Sequence, residues 1–169
     1  MYPSTPHEIW PNQIIKKQKE NYIEYWKDIT KSQSKLECYL ALNRQYTVAD
    51  YLTTVFDQKL RKSLTMYRLS EHKLAIETGR HRQTWLPREE RLCQLCSRGE
   101  LETELHFLLH CEKYTEIRET FFPKIKQKCP KFNSLSDHNR AQYLLGEIKD
   151  CANIAAKYVA TCHNHRDSQ

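Results

Sequence analysis

Two thiols separated by two residues, Cys93-Gln94-Leu95-Cys96, are followed after a gap of nine by His106-Phe107-Leu108-Leu109-His110-Cys111. A Cys-x-x-Cys turn grips one face of a tetrahedral ion, and a second pair arriving from a helix end closes the other face. The nine intervening residues suffice for Ser97-Arg98-Gly99 to reverse the chain and for Glu102-Thr103-Glu104 to begin a helix. Gly99, one of three glycines in 169 residues, stands where such a reversal needs conformational freedom. The pattern predicts a zinc site, with Cys93 and Cys96 as its first two ligands.

Spacing leaves the fourth ligand open. His106 and His110, four apart, share one face of an intact helix, as in a Cys2His2 site. Cys111 is five from His106, about 140° further round a regular helix. It reaches the same ion only where the helix loosens or ends near His110.

Glycine is scarce while Lys, Glu, Leu and Gln are common, which favours helix over sheet. The expected fold is mostly α, a small helical domain built around a zinc knuckle, with a short β-hairpin at the Cys-x-x-Cys turn. No apolar run is long enough to cross a bilayer, and no hydrophobic core of a signal peptide follows Met1-Tyr2-Pro3-Ser4-Thr5-Pro6. Seven cysteines, an odd number, point to metal binding in a reducing compartment rather than to a disulfide framework. The expected location is therefore intracellular, nuclear and/or cytoplasmic. Cys38, Cys129, Cys151 and Cys162 share no spacing and read as ordinary thiols.

Along the chain, residues 1–12 hold three of six prolines and read as a mobile N-terminal segment. Residues 13–92 read as helical and basic, 93–111 as the zinc knuckle, 112–162 as C-terminal helices and 163–169 as a polar tail. An apolar stripe of Ile15, Tyr22, Trp26 and Ile29 predicts a helix over 13–30. Ser32 or Ser34 is placed to cap a second helix running to about Asn43. Thr47 with Asp50 resembles a capping box for a helix carrying Val48, Tyr51, Leu52 and Val55. Asp57 begins the next, and Ser70 caps a short helix that Gly79 stops. Tyr114, Ile117, Phe121 and Ile125 predict a helix bent or interrupted at Pro123. Asp137 caps another, broken by Gly146. Ile148, Cys151, Ala152, Ala155, Ala156 and Val159 mark the most regular helix.

The formal net charge is +6. Between Lys59 and Arg91 there are nine basic residues against four acidic ones, whereas Glu100 to Glu119 is acidic. Such segregation points to an anionic partner approached from one side. Arg61, Lys62, Arg68, His72 and Lys73 are expected on a phosphate-facing helix surface. Arg80, His81 and Arg82 follow beyond Gly79, and Trp85 is placed to stack a base. Asp137 with Glu147-Ile148-Lys149 imitates a metal-dependent nuclease pattern, but these residues lie at helix borders rather than on adjacent strands. Cys162-His163-Asn164-His165 is read as polar tail rather than as a second metal site. Neither a phosphate-binding glycine loop nor a Ser/His/Asp set is present.

Four runs taken together resemble one known arrangement. They are Leu64–His81, Glu90–Cys96, Glu102–Cys111 and Tyr114–Arg118. The likeness is to the segment that follows the reverse transcriptase domain in non-LTR (LINE-type) retrotransposon polyproteins of the fish type, and it extends over roughly Leu36 to Arg118. It implies a Cys-Cys-His-Cys knuckle at Cys93, Cys96, His106 and Cys111, favouring Cys111 over His110. It also implies a role in holding element RNA or target DNA. The polymerase motif, fingers, palm and endonuclease of such polyproteins are absent from this sequence, so their catalysis does not carry over, and the chain reads as a detached C-terminal piece. The expectation is a zinc-dependent nucleic-acid-binding module without enzymatic activity. The rival expectation is a protein-interaction scaffold in which zinc is purely structural. Neither a membrane partner nor a small-molecule substrate is expected.

Overall fold

The computed structural model describes residues 9–43, 46–81 and 85–168. It is mostly α: α1 Ile9–Ser32, α2 Glu37–Leu42, α3 Asp50–Thr54, α4 Gln58–Arg68, α5 Ala75–His81, α6 Thr115–Lys128, α7 Asp137–Leu144 and α8 Ala152–Asp167. Between α5 and α6 lies a turn of π-helix, His106–His110. Among the described residues there is no sheet. The expected hairpin reduces to one antiparallel bridge between Leu92 and Leu101, flanked by Cys93 N–H to Glu100 O (2.9 Å) and Glu102 N–H to Arg91 O (3.0 Å). No helix among the described residues is long and apolar enough to cross a membrane.

The most regular apolar pattern in the sequence becomes the centre of the molecule. Helix α8 packs against α3, α4, α6 and α7. Its Ala152, Ala155 and Ala156 are fully buried, and side chains that small let neighbouring helices approach closely. Leu64 and Tyr67 of α4, Ile125 of α6 and Leu144 of α7 complete this core. Tyr67 stacks on Phe107 (4.5 Å between centroids, 7° between planes), and Phe107 meets Tyr114 edge-on at 4.8 Å. These rings join the π turn to the helical core, and the offset and edge geometries are those that aromatic quadrupoles favour.

Several local expectations are corrected. The α1 stripe is largely uncovered: Ile15, Tyr22 and Ile29 are exposed, and only Trp26 is half-buried, against Tyr39 and Tyr46. Neither Ser32 nor Ser34 caps α2, and α3 starts after Ala49 without a side-chain cap, leaving Val48 and Leu52 exposed. Asp57 does cap α4, its Oδ1 accepting from the N–H groups of Lys59 and Leu60. Ser70 has a left-handed backbone (φ 53°) and does not cap α5. Gly79 lies inside α5 rather than ending it. A Cβ there would sit 2.7 Å from Cγ of Arg91, so the glycine makes room for that side chain. Helix α6 runs on through Pro123, and Ser136, not Asp137, caps α7. The expected polar tail is helical to Asp167. Its Arg166 pairs with Glu102, and His163 Nδ1 lies 3.3 Å from the Tyr67 hydroxyl. Residues 1–8, from the expected mobile segment, fall outside the described residues.

Candidate metal centre

Cys93 and Cys96 sit on the turn enclosed by the Leu92–Leu101 bridge. Gly99 completes the reversal with φ +63° and open space around its Cα, so its role there is conformational. His106 and Cys111 come from the following helical stretch. There the i→i+4 ladder gives way to an i→i+5 bond, Cys111 N–H to His106 O at 2.7 Å. That one-residue widening returns Cys111 to the face that carries His106, which a regular helix would not do.

The four donor atoms, three Sγ and one imidazole nitrogen, lie within 4.8 Å of one another. Cys93 Sγ is 3.8 Å from Cys111 Sγ, and Cys96 Sγ is 3.5 Å from His106 Nε2. Cys93, His106 and Cys111 are buried and Cys96 is half-buried. Burial pushes the Cys93 thiol up to about 12 and raises the Cys111 thiol as well. Such thiols stay protonated until a cation replaces their protons. These four residues can hold one metal ion.

The surroundings orient them. Glu100 Oε2 is 2.9 Å from His106 Nδ1, which turns Nε2 toward the three sulfurs. That contact, followed by Arg98, holds the Glu100 carboxyl below its usual range. Glu102 Oε1 lies 3.7 Å from Cys93 Sγ, while its Oε2 accepts from Ala75 N–H at the start of α5. Carbonyls in and just after the π turn accept from side chains elsewhere: Tyr158 O–H bonds Leu108 O, Arg118 Nη2 bonds Cys111 O at 2.6 Å, and Arg98 bonds His110 O. These supporting groups were not identifiable from sequence, because nothing in spacing links Tyr158 to Leu108. His110 is turned away, its Nε2 held 2.7 Å from Asp137 Oδ2. Geometry therefore selects Cys111 and excludes His110. Asp137 is engaged by His110 and Arg140, not aligned with Glu147 and Lys149.

The basic segment divides between inward and exposed side chains. Arg68 is 1% exposed and donates to Leu145 O (2.7 Å) and Asn43 Oδ1 (3.2 Å), pairs with Glu147, and covers the Tyr51 ring at 4.7 Å. His72 is buried with Nε2 3.0 Å from Glu104 Oε1. Burial alone would raise the Glu104 carboxyl, but the bonds from His72 and Ser70 outweigh it and hold it low. Arg91 is buried and bonds Ile76 O and Leu86 O. Arg61 reaches Val55 O, Arg80 binds Glu77 and Ser34, and Arg88 pairs with Glu37. The expectation of Arg68 and His72 on a phosphate-facing surface is thus replaced by inward roles, because both lie against carboxylates from distant parts of the chain. Lys62, Lys73, His81 and Trp85 are exposed, Trp85 by 66%. Arg82 lies outside the described residues. Comparison with known proteins gives no match to a family model, to a curated protein or to a solved structure.

Proposed function

We propose that this chain is a zinc-stapled, non-catalytic module that holds nucleic acid, RNA or DNA, chiefly by its phosphate backbone. The observation that carries the proposal is the closed Cys93–Cys96–His106–Cys111 cluster. Zn–S bonds of about 2.3 Å and Zn–N bonds of about 2.0–2.1 Å at tetrahedral angles imply S···S near 3.8 Å and S···N near 3.5–3.6 Å. Two of the six separations, 3.8 and 3.5 Å, match those edges, and all six lie within 4.8 Å. Three thiolates and an imidazole suit zinc. With all four positions filled by protein, no site is left for substrate, and the metal's task is to fix the hairpin to the helices.

The nucleic-acid part is supported by the net charge of +6, by the exposed Lys62, Lys73 and His81, and by the exposed Trp85 as a stacking surface. It is also supported by the resemblance to the retrotransposon segment, from which we propose that the chain derives. Lysines make phosphate contact as point charges, without the forked geometry of arginine. The test is binding of labelled single-stranded RNA and duplex DNA over a salt series, on protein shown to carry one zinc. Micromolar or tighter binding that weakens steeply with salt is expected, and a flatter slope when Lys62 and Lys73 become alanine. Absence of binding at low salt from folded, zinc-loaded protein overturns the proposal.

One observation favours the rival reading of a protein-interaction scaffold. Helix α1 leaves Ile14, Ile15, Tyr22, Tyr25 and Ile29 uncovered, a contiguous apolar face of the kind that marks interaction sites. Under that reading, Ile15→Ser with Tyr22→Ser abolishes partner capture while the lysine changes do nothing.

A further inference from the structure

Helix α1 spans 24 residues, about 36 Å, yet the domain covers only its C-terminal part. Residues 11 to 21 are exposed without exception. Packing begins at Tyr22, whose ring meets Tyr46 edge-on at 5.4 Å, and continues with Trp26 against Tyr39 and Tyr46 and with the buried Thr30. A helical stretch as long as 11–21 without tertiary support is marginal in water, where isolated helices shorter than about 12–15 residues scarcely form. The described part of the chain supplies no such support.

The uncovered surface is patterned. Ile15, Tyr22 and Ile29 recur every seven residues and Tyr25 stands three beyond Tyr22, all of them between 38% and 61% exposed. In a regular helix the four fall within about 80° of the circumference, and their spacing is that of a coiled-coil seam. Gln18 fills the remaining seam position, and a polar residue there costs affinity. Trp26 and Thr30, which the domain covers, lie to one side of this stripe, as do Lys16 and Lys19, while Glu20, Lys27 and Lys31 lie at its back. The free flank carries Lys17 toward one end and Asp28, with Glu24 a turn before it, toward the other. All three are exposed, and none is in an ion pair within the described residues.

From this arrangement we infer that α1 pairs with α1 of a second copy of this chain, antiparallel about a two-fold axis. The two stripes cover each other, and Lys17 of each copy meets the acidic end, Asp28 and Glu24, of the other. Parallel alignment would instead bring Lys17 against Lys16 and Lys19 of the other copy. A two-fold contact has to be complementary to itself, and an apolar stripe flanked by a base at one end and acids at the other meets that condition. The surface shares no residue with Lys62, Lys73, His81 and Trp85, so the inference stands independently of the nucleic-acid reading.

Sedimentation equilibrium of the zinc-loaded full chain, from about 1 to about 300 µM, tests it, with far-ultraviolet circular dichroism at the same concentrations. The expected result is a monomer–dimer equilibrium with a micromolar Kd, and helicity that rises with the dimer fraction as the unsupported turns of α1 gain a partner. Lys17→Glu and Asp28→Lys each raise Kd roughly tenfold or more, because each turns two attractive contacts into repulsive ones. An equimolar mixture of the two variants recovers the parental affinity, since opposite charges then face each other at both contacts. Ile15→Ser with Tyr22→Ser leaves only monomer. All these positions are exposed, so zinc content stays as in the parent. A parental chain that is monomeric at the highest concentration overturns the inference and leaves the α1 face to a foreign protein. A dimer that none of these variants weakens lies elsewhere and overturns it as well. A dimer lost in Ile15→Ser with Tyr22→Ser protein but indifferent to both charge reversals overturns the antiparallel alignment.

Discussion

Replacing Arg68 by alanine separates an inward structural arginine from an outward phosphate contact. The side chain is 1% exposed and donates to Leu145 O and Asn43 Oδ1, pairs with Glu147 and covers Tyr51. Each hydrogen bond to a charged group is worth about 1.5–3 kcal/mol, and the cation–π contact about 0.5–2. These terms do not simply add. The Glu147 side chain keeps 23% of its exposure, so its stranded carboxylate recovers part of its hydration. Breaking a buried pair by removing one partner typically costs about 3–5 kcal/mol. That is a large share of the roughly 5–15 kcal/mol that holds such a domain together. In a chain of this length it corresponds to a fall in Tm of about 6–20 °C. The assay is urea unfolding followed by far-ultraviolet circular dichroism on zinc-loaded protein, with Lys73→Ala as the exposed control, expected within about 0.5 kcal/mol of the parent. A stable Arg68→Ala protein that loses oligonucleotide affinity would refute the inward assignment and restore Arg68 to the binding surface.

Three further outcomes are expected. Cys111→Ser lowers zinc content below one per chain and lowers Tm, whereas His110→Ala keeps full zinc by atomic absorption, because His110 faces Asp137. Glu100→Gln leaves zinc stoichiometry intact but weakens its affinity about 10–100-fold in chelator competition, through loss of the carboxylate that orients His106. Gly146→Ala destabilises by more than about 1 kcal/mol in urea titration. Its φ of +80° disfavours a side chain, and the new Cβ would lie 2.9 Å from Cβ of Tyr51 and 3.1 Å from Cδ1 of Leu64.

The candidate metal cluster was legible because ligand chemistry forces a few residue types into short spacings. Cys93, Cys96 and His106 follow from that alone. Spacing left Cys111 and His110 open and the resemblance favoured Cys111; the physical reason, the widening at His106, was not readable, because one group that supports it, Tyr158, lies 50 residues from its partner Leu108. Periodicity found α4 and α8 because their apolar faces are complete. It overrated α1, whose stripe has little to pack against. The charge count located the basic segment but carried no direction. Whether an arginine faces water or a carbonyl depends on partners such as Leu145 and Glu147, separated from Arg68 by more than 70 residues. The C-terminal residues were misjudged for the same reason: His163 and Arg166 read as solvent-facing until Tyr67 and Glu102 are placed beside them.

The link between Glu102 and Arg166 has a consequence for biogenesis. Glu102 joins the start of α5 to the neighbourhood of Cys93, yet its guanidinium partner is 64 residues further along the chain. At synthesis rates of about 5–20 residues per second, the ribosome needs on the order of three to thirteen seconds to supply that partner. For most of that interval the four side chains of the candidate metal cluster already exist on the nascent chain, while the last turn of α8, which holds Arg166, does not. The last turn of α8 can therefore close on Glu102 only after the whole Cys93–Cys111 cluster has been synthesised.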